Sequence, residues 1–213
     1  HDREKLLELV HPLAANAAVA QVEIVTADGQ GVLSLHRISA EGYPIYTDTQ
    51  GLASYDWDLV RRVAAGEIDD IGDKFAALVQ APWGSCFYIG GPSQRRGQTV
   101  GIVLVGIPME ELVERRAGHT TLAAQEAAAP QHQVTVYDAG GQVIATTCPA
   151  GLTPILPISP NLYRQVQTKQ DFSYLGRSLH GPDVDIEEAF GSLDARHGAD
   201  LAVFSVSAPG HQR

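Results

Sequence analysis

Apolar positions define the first element by their period. Leu6, Leu7, Val10, Leu13 and Ala17 recur at three- and four-residue spacing, which predicts a helix over residues 2–20 with one apolar stripe. Pro12 lies inside that stretch and is expected to bend or interrupt it, since it lacks an N–H and crowds the preceding turn. The period then changes. Val22–Val25 and Gly31–Leu35 are extended stretches on either side of the turn dipeptide Asp28-Gly29, so strand, tight turn and strand are predicted. Residues 39–54 are polar and aromatic and predict a loop. Residues 55–65 suit a short helix with Ser54 or Asp56 as N-cap and Gly66 at its end. Three strands follow at 71–80, 85–89 and 99–107, with turn chemistry from Gly90-Gly91-Pro92 through Gly97. Val100–Ile107 is apolar at nearly every position, so it is expected to be covered on both faces, by helix 2–20 and by helix 55–65.

Pro108 opens the next predicted helix at a favoured first-turn position. Glu110 and Glu111 sit near its positive end, Arg115 and Arg116 near its negative end, and Gly118 lies beyond. An Ala-rich linker runs to Pro130. The first pattern then returns. Val134–Tyr137, Asp138-Ala139-Gly140-Gly141 and Gln142–Thr147 repeat the strand, turn and strand of residues 22–35. A loop at 148–160 carries Pro149, Pro154, Pro157 and Pro160, and a short helix is predicted over 161–167. Candidate strands lie at 172–179, 186–195 and 201–206, and the last runs into Ala208-Pro209 as the earlier one runs into Ile107-Pro108. One supersecondary unit thus occurs twice. The predicted class is α+β: an N-terminal helix (1–20), a first module (21–117) and a second (118–213), each an antiparallel sheet of about five strands with flanking helices.

That order of elements is PAS-like, and particular stretches resemble a known family. VEIVTADGQGVLSLHR, GDKFAALVQAPWGSCFYIGGP and GQTVGIVLVGIPMEELV look like the distal half of double Cache sensor domains. VTVYDAGGQVIATT and ADLAVFSVSAP look like the proximal half, so the resemblance spans about residues 5–209. It implies an extracytoplasmic ligand-sensing domain between two transmembrane helices, in a bacterial histidine kinase, diguanylate cyclase, phosphatase or chemoreceptor. It also implies that helix 2–20 ends a longer stalk helix, with a homodimer through that helix as one expectation. The family subset that binds amino acids carries an Arg and a Trp on the pocket helix with an Asp on a later strand; this chain offers Trp57 and Arg61-Arg62 on the helix, without an equivalent full set.

Composition narrows the alternatives. The 213 residues hold 25 Asp and Glu against 15 Lys and Arg, a net charge of −10 that repels nucleic-acid backbones and anionic lipid surfaces. The longest apolar run, Val100–Met109, is about half of what a bilayer requires. The chain begins at His1, which fits a piece of a longer or processed protein. Cys86 and Cys148 read as two small buried thiols, with a single bridge as the alternative. None of the eight histidines has metal-ligand spacing, and no nucleophile elbow or phosphate loop is present, so no catalytic residue, metal or cofactor is assigned. A periplasmic or secreted enzyme or carrier with an unrecognised site is the competing class.

Ligand-pocket chemistry concentrates in the first module. Tyr43, Tyr46, Asp48, Tyr55 and Trp57 precede or open the short helix, and Lys74, Trp83 and Tyr88 lie on or near the strands that follow. Aromatic walls with a few charges suit a small molecule such as an amino acid, amine or organic acid. Asp48 can take an ammonium, and Arg61 or Lys74 a carboxylate. The expected site is therefore Tyr46, Asp48, Tyr55, Trp57, Arg61, Lys74 and Tyr88. The second module has fewer aromatics in the equivalent stretch and is expected to act as a spacer.

Overall fold

The computed structural model describes residues 2–39, 44–49, 51–70, 72–122, 132–152, 156–168, 175–180, 185–195 and 199–209. They form two compact units, His1–Pro108 and Met109–Arg213. The first contains α1 (Asp2–Ala17), β1 (Gln21–Thr26), β2 (Gly31–Ser39), β3 (Ile45–Asp48), α2 (Asp58–Ala64), β4 (Phe75–Ala81), β5 (Gly84–Arg95) and β6 (Gln98–Pro108). The second contains α3 (Met109–Leu122), β7 (Gln133–Tyr137), β8 (Val143–Thr146), α4 (Pro160–Thr168), β9 (Gly176–His180), β10 (Asp185–Ala195) and β11 (Ala199–Pro209).

Both sheets are antiparallel, and they share one topology. The first is ordered β3-β2-β1-β6-β5-β4 and the second β8-β7-β11-β10-β9. Strip β3 from the first and the two orders coincide strand for strand. The α+β pair of PAS-like sheets that the repeated sequence pattern predicts is therefore the fold. In each sheet the opening hairpin pairs with the closing strand, which lies far away in sequence.

Four details differ from the sequence reading. First, β3 lies inside the stretch predicted as loop. It has only four residues, and its pairing with Leu35–Ser39 is a tertiary event that no local pattern announces. Secondly, Gly90-Gly91-Pro92 belongs to β5, whose pairing with β6 continues through Gly91↔Val103 and Pro92↔Ile102. The reversal falls at Arg96-Gly97, both at positive φ, because the long apolar strand β6 requires a partner along its length. Thirdly, α2 starts at Asp58 with Trp57 as N-cap and no side-chain cap bond. Ser54 instead makes a bridge to Gln30, which draws the loop onto the end of β2.

Finally, β6 is covered on one face. Val103 and Val105 are each 37% exposed, whereas Ile102 and Leu104 are fully buried. The reason is where α1 docks: it packs on β2 and β3, using Leu6, Leu7, Val10 and Ala14 against Leu33, Leu35 and Tyr46. Leu13, part of the predicted stripe, points away and is 68% exposed. Helix α2 covers the other face, where Leu59, Val60 and Val63 meet Val25, Phe75, Tyr88, Ile102 and Leu104. Pro12 sits inside α1 without ending it, and the chain leaves the helix at Ala18 with φ 50°. Helix α3 packs on β7 and β8, and α4 on β10 and β11. The Ala-rich linker at 123–131 lies outside the described residues.

Candidate functional site

A carboxylate lies at the centre of the first unit. Glu23 alternates with Val22 and Ile24 on β1, so it faces α2 while they face α1. Its side chain is wholly buried. A buried carboxylate must be matched by donors. Tyr55 Oη–H donates to Glu23 Oε2 at 2.6 Å, and His36 Nε2 lies 2.9 Å from Oε1. Tyr88 Oη–H donates to Gln21 Oε1 at 2.7 Å, with Glu23 Oε1 3.5 Å away. Trp83 Nε1–H donates to Tyr88 Oη at 3.3 Å. The chain of contacts leaves the core through His36 Nε2 and Ser34 Oγ, 3.2 Å apart, and Ser34 Oγ and Thr49 Oγ1, 2.7 Å apart. Burial, and then the bond to Glu23, raises the Tyr55 phenol above its ordinary pKa. Burial and the Glu23 charge do the same for Tyr88.

Aromatic rings close around this network. Trp57 packs on Tyr55 with centroids 4.9 Å apart and on Tyr88 at 5.0 Å, and Trp83 meets the edge of His36 at 4.7 Å. Tyr88 can reach across the sheet only because Gly106 lies beneath its ring. A Cβ at Gly106 would overlap Tyr88 Cε1 and come within 2.8 Å of Cδ1. We therefore expect Gly106→Ala to lower the unfolding free energy by about 1–3 kcal/mol through overpacking. Urea unfolding followed by tryptophan emission checks this, and an unchanged midpoint would show that the ring does not need this gap.

A cavity of about 250 Å³ opens beside the network. Its walls are β2 from Gly31 to Ser34, the loop residues Thr49, Gly51, Leu52, Ala53 and Tyr55, and Arg3 of α1. The loop is held to the sheet by Gly31 N–H donating to Ala53 O at 3.1 Å and Thr49 N–H donating to Ser34 O at 2.9 Å. Leu52 N–H also donates to Tyr55 Oη at 3.2 Å. The cavity lies between these ties, with β2 on one side and the loop on the other. At its mouth the Arg3 guanidinium grips the Asp48 carboxylate with both terminal nitrogens, and its Nε–H donates to Val32 O at 3.3 Å. The Arg3 side chain is 52% exposed, so the pair contributes no more than about 1 kcal/mol and can exchange partners.

The expected site residues separate into three groups. Tyr55, Trp57 and Tyr88 come together, with Tyr55 lining the cavity. Asp48 stands at the cavity mouth, bound to Arg3. Tyr46, Arg61 and Lys74 lie elsewhere. Tyr46 faces α1 on the opposite side of the sheet, its hydroxyl 2.8 Å and 2.6 Å from the carbonyl oxygens of Ala14 and Val19, where it secures the end of that helix. Arg61 is on the outer side of α2 and pairs with Asp56 at 2.6 Å and Asp58 at 3.3 Å. Lys74 pairs with Asp73 at 3.0 Å in solvent. Tyr43 lies outside the described residues. Glu23, Ser34, His36, Thr49 and Arg3 escaped the sequence reading. The one available signal was Glu23 itself, a lone acid in the apolar run Val22-Glu23-Ile24-Val25, in which Val22, Glu23 and Val25 are all buried.

The second unit has a buried carboxylate with tyrosine and acid exchanged between strands. Tyr137 on β7 donates to Glu188 Oε1 on β10 at 2.9 Å, and Ser205 Oγ–H donates to the same oxygen at 2.7 Å. Arg177 on β9 closes it, with Nε–H 2.6 Å from Glu188 Oε2. Among the described residues, no group of three or more His, Cys, Asp or Glu side chains is placed to hold a metal ion.

No family model matches the chain, and no curated protein matches it. Solved structures do. A protein described as methyl-accepting chemotaxis protein X aligns at TM-score 0.62 and 11% identity over 98% of this chain and 81% of its own. A domain of a sensory box/GGDEF family protein from Vibrio parahaemolyticus aligns at TM-score 0.60 and 10% identity over 97% and 77%. The extracellular domain of a histidine kinase, vpHK1S-Z8, aligns at TM-score 0.60 and 10% identity over 95% and 72%. This chain has the fold of those sensor domains, as its resemblance to double Cache domains implies.

Proposed function

We propose that this chain is the extracytoplasmic ligand-sensing part of a bacterial membrane signalling protein, and that it binds a small molecule in the cavity of the first unit without catalytic turnover. The observation that carries this reading is the cavity itself, which lies against the Tyr55–Glu23 network in a fold shared with sensory proteins. No described helix is long and apolar enough to cross a membrane, so in this reading the anchoring spans belong to a parent protein. The second unit, with its own core and its own closed carboxylate network, serves as the spacer.

The test is a thermal-shift screen against amino acids, organic acids, amines and nucleobases, since a molecule that binds only the folded chain raises its melting temperature by mass action. A hit should bind at least several-fold more weakly to Thr49→Val, which loses a cavity hydroxyl, and equally well to Tyr163→Phe in the second unit. A hit affected only by Tyr163→Phe would place the site in the second unit and overturn this reading. A hit that the wild-type chain converts to product would replace sensing by catalysis.

A further inference from the structure

We propose that Arg3 is the anion-binding group of this cavity, that the molecule it selects carries a carboxylate, and that binding draws Arg3 away from Asp48 and so acts on α1. The proposal rests on the cavity being the ligand site. Among the described residues that line the cavity, Arg3 alone carries a formal charge; the others present backbone, apolar surface and the hydroxyls of Ser34, Thr49 and Tyr55. Those hydroxyls are occupied. Tyr55 Oη is held by Glu23, and Ser34 Oγ by His36 and Thr49. Glu23, behind this wall, is matched by Tyr55 and His36. An ammonium therefore meets no unmatched carboxylate in the inner wall, whereas a carboxylate meets a guanidinium at the rim.

Arginine has five N–H donors in a planar fork that fits a carboxylate through two parallel bonds. Among the described residues, Asp48 takes two of those donors and the Val32 carbonyl takes one. The remaining N–H groups can donate to an incoming carboxylate, which then competes with Asp48 for the same fork. The consequence reaches the helix because Arg3 lies in the first turn of α1. The rest of α1 is tied to the sheet by apolar packing and by Tyr46, whose bonds involve the far end of the helix. Exchanging the Arg3 partner changes the tether at the beginning of α1 and leaves that at its end. Only a molecule that binds the exchanged arrangement more tightly can shift the balance, and a carboxylate does so by replacing Asp48.

Acetate, lactate, succinate, benzoate and L-alanine, each paired with the amide that lacks its carboxylate charge, provide the probes. Trp57 and Trp83 are the two tryptophans of the chain and both flank the Glu23 network, so their emission reports occupancy. At least one acid should change that emission saturably, and its amide should bind at least tenfold more weakly. Arg3→Gln should weaken the acid at least tenfold, while Asp48→Asn, which frees the guanidinium, should strengthen it several-fold. These opposite signs separate a ligand role from a merely structural ion pair, for which both variants would act alike. Amide protons in the first turn of α1 should exchange faster when the acid is bound. Equal binding of acid and amide, or an affinity unmoved by Arg3→Gln, overturns the proposal and leaves the cavity as a ligand site. So does a screen in which only amines or nucleobases bind and Thr49→Val weakens them. Absence of binding by every class overturns both readings.

Discussion

Arg177→Met should lower the unfolding free energy of the second unit by about 3–5 kcal/mol, and combining it with Glu188→Leu should recover most of the loss. Glu188 is wholly buried, and its carboxylate is matched by Tyr137, Ser205 and Arg177. Arg177 also donates from Nη1 to Pro157 O at 3.1 Å and from Nη2 to Leu156 O. One side chain thus neutralises the buried acid and fastens the proline-bearing loop across the sheet, with its guanidinium 5.6 Å from the Phe190 ring. Removing the guanidinium strands an ionised carboxylate in the core with two neutral donors, and leaves two carbonyls without their partner. The double substitution removes both charges, so the desolvation cost disappears along with the attraction. Urea unfolding followed by circular dichroism measures each step. A double variant no more stable than Arg177→Met would mean that loop attachment, not the unpaired acid, dominates.

Above about pH 10 both units should lose stability steeply. Burial raises the phenol pKa of Tyr55 and Tyr88 in the first unit and of Tyr137 in the second. The sign follows from proton counting. Below the unfolded tyrosine pKa, both states keep the proton and pH has no leverage. Above it, the unfolded chain releases the proton while the folded chain retains it. The folded state then binds more protons, and stability falls by about 1.4 kcal/mol per pH unit for each such tyrosine, until the folded pKa is passed. Of these three, two lie in the first unit and one in the second. Phenolate absorbance during an alkaline titration checks it: these three phenols should appear only with unfolding. Ionisation of all seven tyrosines near pH 10 with the fold intact would sink the idea.

The aromatic part of the site is legible in the chain because it is dense. Tyr55 and Trp57 are close neighbours at the start of α2, and Trp83 and Tyr88 flank the start of β5. The polar part is not. Glu23 finds its donors 13, 32 and 65 residues away in His36, Tyr55 and Tyr88, and a single acid in a strand reads equally well as a solvent-facing position. Arg61 and Lys74 look like ligand groups on charge alone, yet both meet nearby acids in solvent. Arg3 stands at the cavity only because α1 lies across β2 and β3, 45 residues before the Asp48 it binds.

Period and turn chemistry determined by themselves that this protein has an opening helix and two copies of one antiparallel unit. Alternation, apolar runs and turn dipeptides such as Asp28-Gly29 act over a few residues, and each appears in the chain beside the residues it governs. Only the tertiary structure decided which side of β6 is covered, whether residues 45–48 form a strand, and which charges meet in the core. Each of these depends on where a distant element docks. The apolar side chains of β6 are compatible with cover on either face, and it is the seating of α1 on β2 and β3 that leaves Val103 and Val105 partly in water while Glu23, buried on the opposite face, is matched by two tyrosines and a histidine.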